Sequence, residues 1–170
     1  GHERVLRARL EDARFYWEED RRCGLAGLRR RLETVLWIEG FGTLAERSER
    51  LRVLAGRLAA ALPERSLDRE ALDWAACHCK ADLASEMIKD GKEFTRLQGL
   101  MGREYALAEG VPAARASLLY EHVLPRQAGD ALPATLEGAL LALADRLDAI
   151  AGLWLAGFAP TGSKDPYALR

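Results

Sequence analysis

No stretch of this chain alternates apolar and polar residues long enough to read as a strand. No apolar run approaches the roughly 18–20 residues that cross a bilayer, and no signal-peptide pattern opens the sequence. The first absence removes sheet-based folds and the second a membrane span. Histidine and cysteine are scarce, three of each, and no Cys-x-x-Cys spacing exists, which argues against a zinc cage. Cys23, Cys77 and Cys79 are an odd set that cannot fully pair. That excludes a disulfide framework and leads us to expect a reduced, cytoplasmic protein. A net charge of −1 argues against a surface that grips nucleic acid everywhere. Lysine is rare beside arginine, which we read as genome composition or heat adaptation and not as function. Gly1-His2 reads as a cloning scar, and His2 is given no functional weight.

What is present is helix. At 170 residues the simplest organisation is one domain with a sizeable core, and 49% hydrophobic with 30% charged residues is an ordinary globular balance. Leu6, Leu10, Ala13 and Trp17 mark a helix over about Glu3 to Asp20, and Leu25, Leu28, Leu32 and Val35 a second that Gly40 and Gly42 end. A third is expected from Thr43 to Leu62, with Leu44, Leu51, Ala55, Leu58 and Leu62 inward and Pro63 as its stop. Asp68 should cap a fourth that runs to Ile88, broken by Asp90-Gly91. A fifth covers Phe94 to Glu109, and a sixth starts at Pro112 and ends before Pro125. Pro133 opens the longest, whose inward stripe is read as Leu136, Leu140, Leu143, Leu147, Ile150 and Trp154. The fold class expected is all-α, a bundle of about seven helices.

Five segments could carry chemistry. Arg21, Arg22, Arg29, Arg30 and Arg31 fall together with no acid between them, which suits phosphate contacts or a solvated helix face. Ala75 to Leu83 places His78, Cys79, Lys80 and Asp82 inside an apolar helix, and Ala142 to Asp148 does the same with Asp145, Arg146 and Asp148. His78 and Asp82, four apart, could share a helical face as a two-ligand site or be hydrogen-bonded packing. Lys80 is expected in a buried ion pair with Asp82 or Asp145. Gly99 and Gly102 weaken a helical region by about 1 kcal/mol each, tolerable where a helix or a ligand approaches closely. The terminal run Pro160-Thr161-Gly162-Ser163-Lys164-Asp165-Pro166 is a shaped polar loop in which Lys164 offers a charge and Asp165 a cap. It stops at Arg170 in what reads as a new helix start, so the chain is expected to be cut from something longer.

Small residues beside an inward acid resemble the metal-binding helices of the HD phosphohydrolase superfamily. Asp145, in Ala-Asp-Arg-Leu, matches the late aspartate of that pattern, but Cys79-Lys80 stands where its adjacent His-Asp should be. A charged lysine is no ligand and opposes a cation, so the resemblance implies the fold without a metal site. With Glu3 to Ala13, Gly42-Thr43-Leu44, Lys80 to Leu83, Leu97 to Gly102, Leu124 to Asp130, Ala142 to Asp148 and Pro160 to Pro166, the chain resembles, in order and over nearly its whole length, the HD-like domain of the β subunit of the bacterial heterotetrameric glycine–tRNA ligase.

That resemblance implies an internal piece, 1–170, of a longer β subunit. Its partners would be the α subunit, the remaining β-subunit domains and tRNA(Gly), with no membrane. Glycine activation with ATP and Mg would belong to the α subunit, and the β subunit would mainly engage tRNA. It carries no catalytic residue onto this chain. Candidate tRNA contacts are the five arginines and Lys164. Lys80, Asp82, Gly99, Gly102, Asp145, Arg146 and Asp165 are read as structural motif residues. The alternatives are an active HD-type metal phosphohydrolase using His78, Asp82 and Asp145, and an inert interdomain scaffold.

Overall fold

The computed structural model describes residues 2–62, 66–89 and 95–158. Pro63, Asp90-Gly91 and Phe94, expected at helix boundaries, lie outside these residues. The described residues form seven α-helices and no strand beyond a single antiparallel bridge between Leu36 and Thr43. The helices are α1 (His2–Arg31), α2 (Leu44–Ala60), α3 (Arg69–His78), α4 (Glu86–Lys89), α5 (Leu100–Ala108), α6 (Ala113–Glu121) and α7 (Leu136–Leu155).

The first two expected helices are one element bent at Gly24, whose φ of 72° and ψ of 162° leave the helical region. The amide of Leu25, next to the bend, donates to Glu109 Oε1 at 2.6 Å. Beyond the bend Leu25, Leu28 and Leu32 are buried as read, but the helix stops at Arg31 and not near Gly40. After a 3-10 turn over Leu32–Thr34 the chain turns extended at Val35. Two bonds, Trp37 N–H to the Gly42 carbonyl and Leu44 N–H to the Val35 carbonyl, close a tight loop there. A run of Val, Leu, Trp and Ile favours extended backbone, and it is followed at once by a strong helix start. Thr43 Oγ1 accepts from the Glu46 amide while the Glu46 carboxylate accepts from the Thr43 amide, a reciprocal cap that fixes where α2 begins.

The expected fourth helix also divides. Asp68 caps α3 as read, accepting from the Ala71 amide at 2.8 Å. The helix nevertheless ends at Cys79, followed by a 3-10 turn over Ala81–Ala84 and the short α4. Polar side chains within and around the segment compete for the backbone. Asp20, buried on α1, accepts from the Glu86 and Met87 amides at 2.7 and 3.1 Å and from the Tyr105 hydroxyl at 2.5 Å. Ser85 accepts from the Ile88 amide. These bonds start α4 where continuous helix would have run.

Of the glycine pair only Gly102 is inside a helix. Gly99 caps α5 from outside with φ 79°, and the amides of Gly99 and Gly102 both donate to Asp82 Oδ2, at 2.5 and 3.1 Å. A carboxylate seventeen residues upstream therefore caps α5.

On α7, Leu140 is buried, but Leu136, Leu143, Leu147, Ile150 and Trp154 are exposed, Trp154 by 63%. The inward row is Gly138, Leu141, Ala144 and Gly152, with Asp145 and Asp148 on the same side. Small residues let α7 sit close, since a Cβ on Gly152 would lie 2.3 Å from the Trp37 ring. Leu6 and Leu10 of the first stripe are likewise exposed, whereas Ala13 and Trp17 pack on the core.

At Gly99 a side chain would meet the left-handed backbone penalty of about 1–2 kcal/mol and place a Cβ 2.9 Å from the Leu119 carbonyl oxygen. G99A should therefore lower stability by about 2 kcal/mol in urea titration. G56A, exposed on α2 with nothing within 4 Å, should raise it by about 0.5–1 kcal/mol. Equal effects at the two positions would contradict the geometry.

Candidate functional site

Where α2, the end of α3 and α7 meet, five charged side chains and a histidine interlock. Lys80, just past the last turn of α3, is 2% exposed and donates through Nζ to Asp145 Oδ2 at 2.8 Å. Arg47 of α2 bonds Asp145 Oδ1 at 2.8 Å and Asp148 Oδ2 at 3.1 Å. Arg50, one turn further on, bonds Asp148 Oδ1 at 2.8 Å. Both guanidiniums lie over the Trp37 ring, at 4.3 and 5.0 Å from its centroid. These fill the cationic face of α2 with the two aspartates of α7, which explains why α7 turns acids and not leucines inward.

His122, fully buried after α6, lies 3.3 Å through Nε2 from Lys80 Nζ, while its Nδ1 is 2.6 Å from the Leu119 carbonyl. The network assigns the proton to Nδ1, so Nε2 accepts from the ammonium. Burial and then the Lys80 charge draw its pKa down to about 3. Burial alone would raise the Asp145 carboxyl, but Lys80 and Arg47 outweigh it and hold it well below the usual carboxylate range. Asp82 differs: burial pushes it up to about 6 against the two glycine amides, and its Oδ1 has no partner among the described residues.

Lys80 is thus held by the second of the two acids considered, Asp145, while Asp82 serves the backbone of α5. His78 and Asp82 form no shared site, because the helix ends between them. His78 instead stacks on Trp74 at 4.8 Å, with Nδ1 2.8 Å from the Trp74 carbonyl. Arg146 bonds the Ala142 and Pro125 carbonyls and neither aspartate. Burial pushes the Cys79 thiol up to about 12, so it is no nucleophile at neutral pH.

The residues do not fit the metal that an HD site would hold. The matching aspartate is committed to an ammonium and a guanidinium, and no three His, Cys, Asp or Glu side chains among the described residues could hold an ion together.

A cavity of about 630 Å³ opens beside the network. Lys80, His122, Asp145, Arg126 and Arg146 are among the residues that line it. Arg47, His122 and Arg126 did not stand out in the sequence. Arg47 is one of many arginines on an Arg/Glu-rich helix, and only the Leu124 to Asp130 segment pointed near Arg126.

The five arginines of α1 do not form one patch of spare charge. Arg22 pairs with Glu19, Arg29 with Glu49 at 2.9 Å and Arg31 with Glu86 at 3.3 Å, and Arg21 lies 5.8 Å from the Trp17 ring centroid. Gly24 also bends the helix between Arg22 and Arg29. Lys164 and Asp165 lie outside the described residues.

The family model described as glycyl-tRNA synthetase beta subunit matches residues 1–170. The chain is similar over all its residues to proteins named glycine–tRNA ligase beta subunit. They include those of Desulforamulus reducens (46% identical), Geobacter metallireducens (49%) and Streptococcus pyogenes (46%). It spans about a quarter of the length of these relatives: 24%, 24% and 25% respectively.

K80A leaves the Asp145 carboxylate short of a buried partner and should cost about 3–5 kcal/mol of unfolding free energy. K80M with D145L, which removes both charges, should recover part of that loss in the same denaturant titration. Acid should act through two opposed groups. His122 binds protons more weakly folded than unfolded, so its contribution is full above pH 6.5 and is lost as pH falls towards 3. Asp82 binds protons more tightly folded, so its cost, full above pH 6, is relieved as pH falls towards 3.8. H122Q should therefore lose less stability than wild type between pH 6.5 and 4, read from urea midpoints over a pH series.

Proposed function

Because the chain belongs to the glycyl-tRNA synthetase beta subunit family, we propose that it is a non-catalytic, tRNA-engaging domain of that subunit. In this reading the 170 residues are one HD-like domain within a longer β subunit, working in the cytoplasm in a heterotetramer with the α subunit. The domain supports the ATP-dependent attachment of glycine to tRNA(Gly). ATP, Mg and the activation of glycine belong to the α subunit. No helix among the described residues is long and apolar enough to cross a membrane, which is consistent with that setting.

One observation carries the non-catalytic part. The ammonium of Lys80 sits 2.8 Å from the aspartate that an HD-type hydrolase would give to its metal. A cation bound there would face a fixed positive charge with no water between to screen it. The exposed arginines of α1 support a role near a polyanion, limited to a local face by a chain that is almost neutral. A second reading, an interdomain scaffold, is favoured by the apolar outer face of α7, where Leu143, Leu147, Ile150 and Trp154 stand exposed.

The test belongs to the whole ligase. Replacing Arg21, Arg22, Arg29, Arg30 and Arg31 with glutamine should raise the apparent KM for tRNA several-fold and leave glycine activation, read by pyrophosphate exchange, unchanged. Unchanged aminoacylation kinetics would reduce the cluster to a solvated helix face. Stoichiometric Mn, Fe or Zn in protein purified without chelators would overturn the non-catalytic reading.

A further inference from the structure

We propose that the cavity beside Lys80 and Asp145 is a nucleotide-binding site, with the phosphate held by Arg126 and Arg146 and the base against the apolar wall. The proposal rests on the reading above of a pocket without hydrolytic machinery, and it adds a ligand to that pocket.

Charge is the first argument. Arg47, Lys80, Arg126 and Arg146 line the cavity against a single carboxylate, Asp145. Asp145 already receives Lys80 and Arg47 at 2.8 Å each. Among the described residues no ion pair joins Arg126 or Arg146 to a carboxylate, and the buried Asp82 feels the Arg126 charge only through space. Arg29, Arg31, Arg47, Arg50, Arg52, Arg103 and Arg115 all meet a carboxylate. Among the described residues Arg146 bonds the Ala142 and Pro125 carbonyls, at 3.0 and 2.8 Å, and Arg126 bonds the Gln98 carbonyl and lies 5.9 Å from the Tyr120 ring centroid. Those bonds orient the guanidiniums without neutralising them. Each carries five N–H donors, of which the structure occupies one or two, so donors remain for an anion. A concave, partly desolvated site with excess positive charge concentrates anions.

Shape and wall chemistry then choose among anions. At about 630 Å³ the cavity lies in the size range of small-molecule sites and would be left mostly empty by a bare phosphate or carboxylate. The same lining includes Trp37, Leu44, Leu83 and Ile150, an aromatic and aliphatic surface of the kind on which bases rest. Planar guanidiniums pair bidentately with phosphate oxygens. A phosphate joined to a flat heterocycle satisfies both kinds of lining. A free mononucleotide and a nucleotide unit of single-stranded RNA present this same chemistry.

Calorimetric titration of the 170-residue chain at low salt would use AMP, adenosine, inorganic phosphate and a single-stranded RNA hexamer. AMP should bind saturably and at least tenfold more tightly than adenosine or phosphate. R126Q, at the exposed rim, should weaken AMP at least tenfold with an unchanged melting temperature, and R126Q with R146Q should weaken it further. Displacement of AMP by the hexamer assigns the site to RNA, and failure to displace it assigns the site to free nucleotide. No saturable binding of AMP or hexamer, equal binding of AMP and adenosine, or AMP binding unaffected in both variants would overturn the proposal. Phosphate release from AMP would instead overturn the non-catalytic reading and leave the site standing. Absence of binding would leave that reading intact.

Discussion

An ammonium group with almost no access to water has to be matched by a carboxylate, and in this protein the match between Lys80 and Asp145 governs how three helices meet. Lys80 is presented by the backbone just after α3 breaks, so the break itself is part of the arrangement. Asp145 is presented from the middle of α7, which must turn its polar side inward to deliver it. Arg47 then supplies the second cation, and Asp148 and Arg50 extend the pairing along the α2–α7 seam. Leu140 and Leu141 pack the same helix onto the core further up. The seam thus combines apolar burial at one end with a charge ladder at the other. Such ladders add little net stability over a hydrophobic equivalent, and their value lies in permitting one alignment of the helices.

That economy bears on what the domain does. A lysine ammonium neutralises the carboxylate permanently, where a bound cation would do so only when present. The space alongside remains, lined by groups that attract anions.

Helix content was legible from periodicity, and two starts were legible from caps at Thr43 and Asp68, because both depend on residues within one turn. Lys80 as a buried, acid-paired residue followed from its setting among small apolar neighbours, although which acid it meets depends on three-dimensional placement. What was hidden shares a cause. Asp82, Asp20 and Ser85 bind amides near and far, and those bonds, invisible in a local window, divide the expected fourth helix and convert Gly99 from an interior residue to a cap. On α7 the leucine row made the more regular pattern, yet the core row was made of glycine, alanine and aspartate. Hydrophobicity alone could not rank a row whose contacts are charge pairs and close backbone approach. Arg126 escaped for the opposite reason: having no acid partner among the described residues is recognisable only in three dimensions, and Arg146, read as a motif residue, could not be told from an ion-paired one.

The two ends of α1 meet the rest of the molecule very differently. From Trp17, stacked on Tyr105 at 5.2 Å, through Asp20 and on to Leu32, the helix is tied into the core. Before Ala13 it carries Val5, Leu6 and Leu10 into solvent. Opening free energy follows burial, so the two parts belong to different cooperative units. The outer turns exchange their amide hydrogens through local fraying. Those from Trp17 onward are tied to the core and are expected to open with it. α1, although bent at Gly24, is therefore a gradient of order as much as an element of structure.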